Sequence, residues 1–142
     1  MTPTFDLQRF VGAQAPVYTQ VCGELRRGRK TTHWMWFVFP QVAGLGLSPM
    51  AVRFAIGSTA EARAYLAHPL LGMRLRECTA LVRGVEGRTA YEIFGSPDDL
   101  KFRSSMTLFA AVAGDETIFA DALRKYFPSA DARTLEILAR HV

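Results

Sequence analysis

Residues 30–41 read Lys-Thr-Thr-His-Trp-Met-Trp-Phe-Val-Phe-Pro-Gln and decide how the rest of the chain is interpreted. Both tryptophans of the protein lie here, at Trp34 and Trp36. Residues 34–39 are apolar at nearly every position, so periodicity does not separate a buried helical turn from a short strand. Pro40 stops either element. The stretch therefore predicts a short buried element with a basic and polar beginning.

The sequence on both sides of this stretch has helical periodicity. Apolar stripes with spacings of three and four residues are typical of helices that bury one face. They occur at Val17, Val21 and Leu25, at Leu71, Leu75, Cys78 and Val82, and at Phe102, Met106, Phe109 and Ala113. No run of alternating strands is present. The pattern predicts a mostly α fold, a single domain over residues 1–142 with about seven to nine short helices.

Several helix starts can be predicted from capping residues. Thr4 or Asp6 is a candidate cap for a first helix over residues 5–13, and Ser48 precedes a proline at the first helical position. Ser58 and Glu61 have the spacing of a capping box. Ser96 is the expected cap of the helix that carries the Phe102 stripe. Asp98 and Asp99 then lie at the positive end of that helix, which explains them without catalysis.

The 142 residues carry a formal net charge of +4, and the excess lies in one half of the chain. Residues 1–71 contain seven Lys and Arg against three Asp and Glu, whereas residues 72–142 contain ten of each. The densest basic cluster, Arg26 to Lys30, directly precedes the aromatic stretch. It favours an anionic partner, and a solvated surface patch would explain it equally well. One modest cluster is thin evidence for nucleic acid, so we do not expect a nucleic-acid partner.

Cysteines, histidines and apolar runs limit the other possibilities. Cys22 and Cys78 match no metal or redox spacing and lie on apolar stripes, so we expect buried, reduced thiols. His33, His68 and His141 lack zinc-ligand spacing, so we predict no metal and no cofactor. Without an apolar run of bilayer length or a signal core, we expect a cytoplasmic protein without a membrane partner. The oligomeric state stays open.

Two groups of residues could carry chemistry. His33 titrates near neutral pH and could act as an acid or base, although a core histidine is the more common role. Trp34 and Trp36 could stack a base, but they point in different directions, so at most one should line a pocket. On the helix after Ser96, a shared face should carry Lys101, Ser104 and Ser105 and could hold a phosphate, or could simply be solvated. The loop at residues 44–49 resembles an anion nest only in outline.

Three motifs resemble a known bacterial family, the domain of unknown function 1810. They are the stretch at residues 33–41, Ala64-Tyr65-Leu66-Ala67-His68-Pro69, and the run from Gly95 to Phe109. The similarity extends over about residues 6–138 and implies a compact α-helical fold without an established biochemical role. Some members carry the label calpastatin, but no feature of this sequence indicates protease inhibition.

A more distant similarity links the chain to the NADAR superfamily, which is associated with ADP-ribose chemistry. Residues 101–109, with the helix at residues 119–126, resemble its terminal helices, and residues 33–41 resemble its aromatic helix. In that superfamily a glutamate often precedes the aromatic residues. In this chain Thr32 and His33 stand at the corresponding positions.

Two functional hypotheses follow. In the first, a cleft between the aromatic stretch and the Lys101 helix binds a phosphorylated nucleoside or an ADP-ribose-like compound, and His33 and Lys101 serve as catalytic residues in cleaving its N-glycosidic bond. The candidate ligand-binding residues are Arg29, Lys30, Trp34, Trp36, Gln41, Arg103, Ser104 and Ser105. In the second, the protein is a non-enzymatic helical module that binds an acidic partner.

Overall fold

The computed structural model describes residues 5–140 and contains ten helices in this range. In chain order they are α1 (Gln8–Gln14), α2 (Tyr18–Arg26), α3 (Met35–Val38), α4 (Pro49–Arg53), α5 (Thr59–Ala67), α6 (Leu71–Arg83), α7 (Ala90–Phe94), α8 (Asp98–Val112), α9 (Ile118–Tyr126) and α10 (Ala132–Ala139). Over the same residues there is no strand, only an isolated parallel bridge between Val42 and Ile56. The predicted mostly α, single compact multi-helix domain is confirmed.

The longest helix, α8, lies at the centre of the core. It packs against α5, α7, α9 and α10. Phe102, Met106 and Phe109 are fully buried, as their spacing predicts, but Leu108 on another side of the helix is fully buried too. The middle of α8 is therefore enclosed by protein on more than one side, and this limits how much of it a ligand can reach.

The aromatic stretch forms a single helical turn, α3, which decides between the two predicted alternatives. Trp34 and Phe39 are 1% and 0% exposed. The Phe39 ring lies edge-on to Phe94 of α7 and Phe102 of α8, with ring centroids 6.0 Å and 5.0 Å apart. Edge-to-face contacts of this kind add stability beyond the area they bury. The stretch thus connects the first part of the chain to the central helix.

Two predicted caps are confirmed and one capping box is half formed. The Ser48 hydroxyl accepts a hydrogen bond from the Ala51 N–H, and the Ser58 hydroxyl accepts one from the Glu61 N–H. The Glu61 carboxylate does not return to Ser58. It accepts hydrogen bonds from the Gly57 N–H and from Arg9 instead, because Arg9 offers a charged partner in the same region.

The predicted caps of α1 and α8 need correction. The residue before α8 is Pro97, without a side-chain cap, so Ser96 does not have the expected role. Asp98 and Asp99 do lie in the first turn of α8. The residue before α1 is Leu7 and not Asp6. Thr4 and His141 lie outside the described residues.

Cys22 and Cys78 are buried, free thiols, as predicted. No helix within residues 5–140 is long and apolar enough to cross a bilayer.

Candidate functional site

A buried carboxylate fixes the polar beginning of the aromatic stretch. Glu24 of α2 is 0% exposed and accepts four hydrogen bonds. The donors are the Thr31 N–H (2.7 Å), the Thr32 N–H (3.1 Å), the Thr32 hydroxyl (2.6 Å) and the Trp34 indole N–H (3.0 Å). Burial by itself would raise the pKa of Glu24, but these hydrogen bonds together lower it to about 2. Residues 31–34 are therefore held in one conformation by a charged group.

A second carboxylate joins two lysines next to this segment. The Lys30 ammonium lies 2.9 Å from Asp98 Oδ2, and the Lys101 ammonium lies 3.4 Å from Asp98 Oδ1. Each lysine also lies over a tryptophan ring, Lys30 over Trp34 at 5.2 Å and Lys101 over Trp36 at 5.4 Å. Asp98 thus brings the aromatic stretch and the start of α8 together.

Beside Lys30 the structure contains an open cavity of about 360 Å³. Its lining includes three basic side chains, those of Arg29, Lys30 and Arg88, together with residues 91–95. We call it the basic pocket. Among the described residues, neither the Arg29 guanidinium nor the Arg88 guanidinium has a hydrogen-bond or ion-pair partner, whereas Lys30 is paired with Asp98. The lining thus carries two arginines without a direct hydrogen-bond or ion-pair partner, and the Glu92 carboxylate lies near Arg88.

The remaining lining of the basic pocket comes mostly from α7. The Tyr91 ring is 61% exposed, whereas Ile93 and Phe94 are buried. The Glu92 carboxylate accepts a hydrogen bond from the Thr89 N–H at 2.9 Å. Hydrogen bonds to this carboxylate from the backbone and the side chain of Thr89, together with the nearby Arg88, lower the pKa of Glu92. The pocket therefore has an aromatic rim, an apolar wall and one fixed negative charge.

Trp36 and Gln41 line a different, smaller cavity. It is bordered by Gly44 and Gly46 of the predicted anion-nest loop and by Ala51 of α4. Its volume of about 10 Å³ holds about one water molecule. Trp36 is half-buried, so of the two tryptophans it is the one that reaches the surface.

The predicted catalytic residues lie outside both cavities. His33 is exposed and lines neither of them. Lys101 also lines neither, and its ammonium is paired with Asp98. The expected cleft between the aromatic stretch and the Lys101 helix is thus replaced by direct contacts.

The other predicted binding residues of α8 make internal contacts. The Arg103 guanidinium donates to the Ser129 and Ala130 carbonyls at 2.9 and 3.1 Å. The Ser104 hydroxyl donates to the Leu100 carbonyl. Ser105 is 0% exposed, and its hydroxyl has no partner among the described residues. The sequence predicts a shared ligand-facing surface of Lys101, Ser104 and Ser105. This exposed polar face is not formed, because Ser104 and Ser105 are buried.

No group of three or more His, Cys, Asp or Glu side chains within the described part of the chain is arranged to hold a metal ion.

Fold and pocket together define a small all-helical protein with a basic surface cavity. Residues 4–138 match the family described as "Protein of unknown function (DUF1810)", and the chain belongs to this family. The crystal structure of the conserved hypothetical protein Rv1873 from Mycobacterium tuberculosis is similar, with 60% sequence identity and a TM-score of 0.94. The match covers 95% of this chain and 97% of that one. No curated protein matches.

Proposed function

We propose that this protein binds a small phosphorylated ligand of nucleotide type in the basic pocket. The observation that carries the proposal is the pair Arg29 and Arg88, two exposed arginines that line one cavity of about 360 Å³ and have no direct hydrogen-bond or ion-pair partner among the described residues. A guanidinium presents a planar set of donors that matches phosphate oxygens, and it is always charged. Two of them at one cavity favour an anion with several oxygens.

Two further features support a nucleotide-type ligand. The exposed Tyr91 ring lies at the edge of the same pocket and offers a surface on which a base can stack. The cavity volume falls in the range of small-molecule sites. The resemblance to the NADAR superfamily is an expectation from sequence motifs that the family match does not show, and including ADP-ribose-related compounds tests it.

The geometry supports binding better than cleavage of an N-glycosidic bond. His33 and Lys101, which the sequence indicates as catalytic, do not line the basic pocket. A general acid or base must come within hydrogen-bond reach of the reacting atom. We therefore propose ligand binding, and release of a free base from a bound nucleotide is measured in the same experiment.

An acidic macromolecular partner is the second candidate. Arg26, Arg27 and Arg29 are exposed at the end of α2, and Arg88 is exposed near Arg29. A surface of this kind steers an acidic partner toward the protein without a cavity being occupied.

Thermal unfolding in the presence of nucleosides, nucleotides, ADP-ribose and NAD tests the proposal. A bound ligand raises Tm by mass action. We expect a phosphorylated compound to raise Tm in the wild type and to lose this effect in Arg29→Ala and Arg88→Ala. Arg63→Ala is the matched control, because Arg63 is an exposed arginine that does not line the pocket. If no compound raises Tm at millimolar concentration, the proposal fails and the acidic partner is favoured.

A further inference from the structure

The geometry points to a phosphomonoester as the anionic group that the basic pocket holds, so that the ligand is a nucleoside monophosphate and not a compound with an internal pyrophosphate such as ADP-ribose. This inference rests on the proposed function and narrows its ligand.

The positive charge available in the basic pocket is limited to two side chains. Of the three basic residues in its lining, Lys30 is already paired with Asp98, and its side chain is only 7% exposed. Arg29 and Arg88 remain. A phosphomonoester places three terminal oxygens and about 1.5 to 2 negative charges on one phosphorus atom, which suits a cavity lined by two arginines. In a pyrophosphate diester each phosphorus carries two free oxygens, and the charge is spread over a longer group.

The cavities of the protein also limit the size of the ligand. ADP-ribose has a sugar on each side of its pyrophosphate, so it needs a binding region on both sides of the anion site. The basic pocket provides one, along Tyr91 and the apolar wall of Ile93. The cavity beside Trp36 holds only about 10 Å³. Two larger cavities, of about 340 and 220 Å³, lie along the end of α6 and share no lining residue with the basic pocket. A ligand with a single nucleoside fits this distribution of space.

The lining of the basic pocket also includes the fixed carboxylate of Glu92. One of its oxygens accepts the Thr89 N–H, which holds the carboxylate in place, and a glutamate is negative at neutral pH. A negative charge in the pocket lining disfavours further phosphates beyond the first. The same carboxylate is an acceptor for the hydroxyl groups of a ribose. A monophosphate keeps the attraction to the arginines and avoids the added repulsion.

Titration calorimetry with four compounds tests the inference: adenosine, ribose 5-phosphate, AMP and ADP-ribose. We expect AMP to bind at least about tenfold more tightly than ADP-ribose, and adenosine to bind least, since phosphate supplies the paired charge. Tyr91→Ala should weaken AMP but leave ribose 5-phosphate within about twofold, because stacking requires the base. Arg88→Lys, which keeps the charge and loses the fork, should weaken AMP.

The pH dependence gives a second measurement. The second ionisation of a phosphomonoester has a pKa of about 6, so AMP affinity should rise between about pH 5 and pH 7.5 as the dianion forms. ADP-ribose has no ionisation in this range and should show no such rise. If ADP-ribose binds as tightly as AMP and loses affinity in Arg88→Ala, the inference is overturned and the proposed pocket stands. If none of the phosphorylated compounds binds, both fail.

Discussion

The ammonium group of Lys30 lies 2.9 Å from the Asp98 carboxylate, and the Lys30 side chain is 7% exposed. This ion pair joins the basic segment after α2 to the first turn of the central helix. Asp98 lies at a helix start, where a carboxylate is expected for electrostatic reasons, but it also compensates a nearly buried positive charge. One wall of the basic pocket is thereby fixed to the core of the protein.

Replacing Asp98 with Asn should destabilise the fold by about 2 kcal/mol, because removing one partner leaves the other charge buried and unpaired. Urea unfolding measures the change. Asp99→Asn is the matched control, since Asp99 shares the first turn of α8 but forms no salt bridge among the described residues. Loss of its helix-end charge should cost less than about 1 kcal/mol. Equal losses in the two variants would show that the ion pairs of Asp98 with Lys30 and Lys101 add nothing.

Because of Glu24, the free energy of unfolding should depend on pH below about 4.5, the ordinary pKa of this group. The folded pKa is lowered from 4.5 to about 2, so its contribution is fully present above about pH 4.5 and is lost as the pH falls toward 2. The difference corresponds to about 3 kcal/mol. Wild type should therefore be more stable than Glu24→Gln at pH 7, and the gap should narrow between pH 4.5 and pH 2. Unfolding free energies measured across this range test it, and a gap that does not change with pH contradicts the assigned role.

Gly72 lies where α6 begins close to the end of α5. A Cβ at this position would lie 2.2 Å from the Leu66 carbonyl oxygen, and backbone cannot move aside cheaply. Gly72→Ala should destabilise the protein by about 3 kcal/mol. Gly12→Ala is the control, because α1 leaves open space around Gly12, and there the substitution should stabilise by about 0.5 kcal/mol through helix propensity. Thermal unfolding compares them, and similar Tm values would contradict the close approach.

Ser105→Ala distinguishes a structural position from a binding residue. Its buried hydroxyl has no partner in the described structure, so removal should leave stability unchanged or raise it by about 1 kcal/mol. Ligand-induced shifts of Tm should stay the same. Thr107→Val is the contrasting variant, because the Thr107 hydroxyl accepts from the Asp131 N–H at 2.9 Å, and its loss should cost about 1 kcal/mol. A smaller ligand-induced shift of Tm in Ser105→Ala would indicate that Ser105 does take part in ligand binding.

The sequence predicts the helices well where apolar spacing and short-range capping decide them. The stripe from Leu71 to Val82 and the caps at Ser48 and Ser58 involve neighbours within one or two helical turns. The all-apolar residues 34–39 have no periodicity, and their helical turn depends on partners distant in sequence, such as Glu24 for Trp34 and Phe94 and Phe102 for Phe39. Ser96 is not the cap of α8, because a capping sequence does not fix which residue takes the cap conformation.

The site is less predictable, because its members are far apart in sequence. Arg29 and Lys30 belong to a basic run that is visible in the sequence. Arg88 and Tyr91 lie in the half of the chain whose charges balance, so no local excess of charge indicates them. Asp98 has a sufficient local explanation as a helix-start carboxylate, which conceals its contact with Lys30. His33 is a candidate because of its side-chain chemistry alone, and in the structure it is exposed.

The most direct test of the central claim is an amide NMR titration of the wild-type protein with AMP. We expect saturable amide chemical-shift changes that are concentrated at Arg29, Lys30, Arg88 and residues 91–95, with little change around Arg63. Shifts that cluster on another surface, or no shifts at millimolar AMP, would contradict the assignment of the basic pocket as the ligand site.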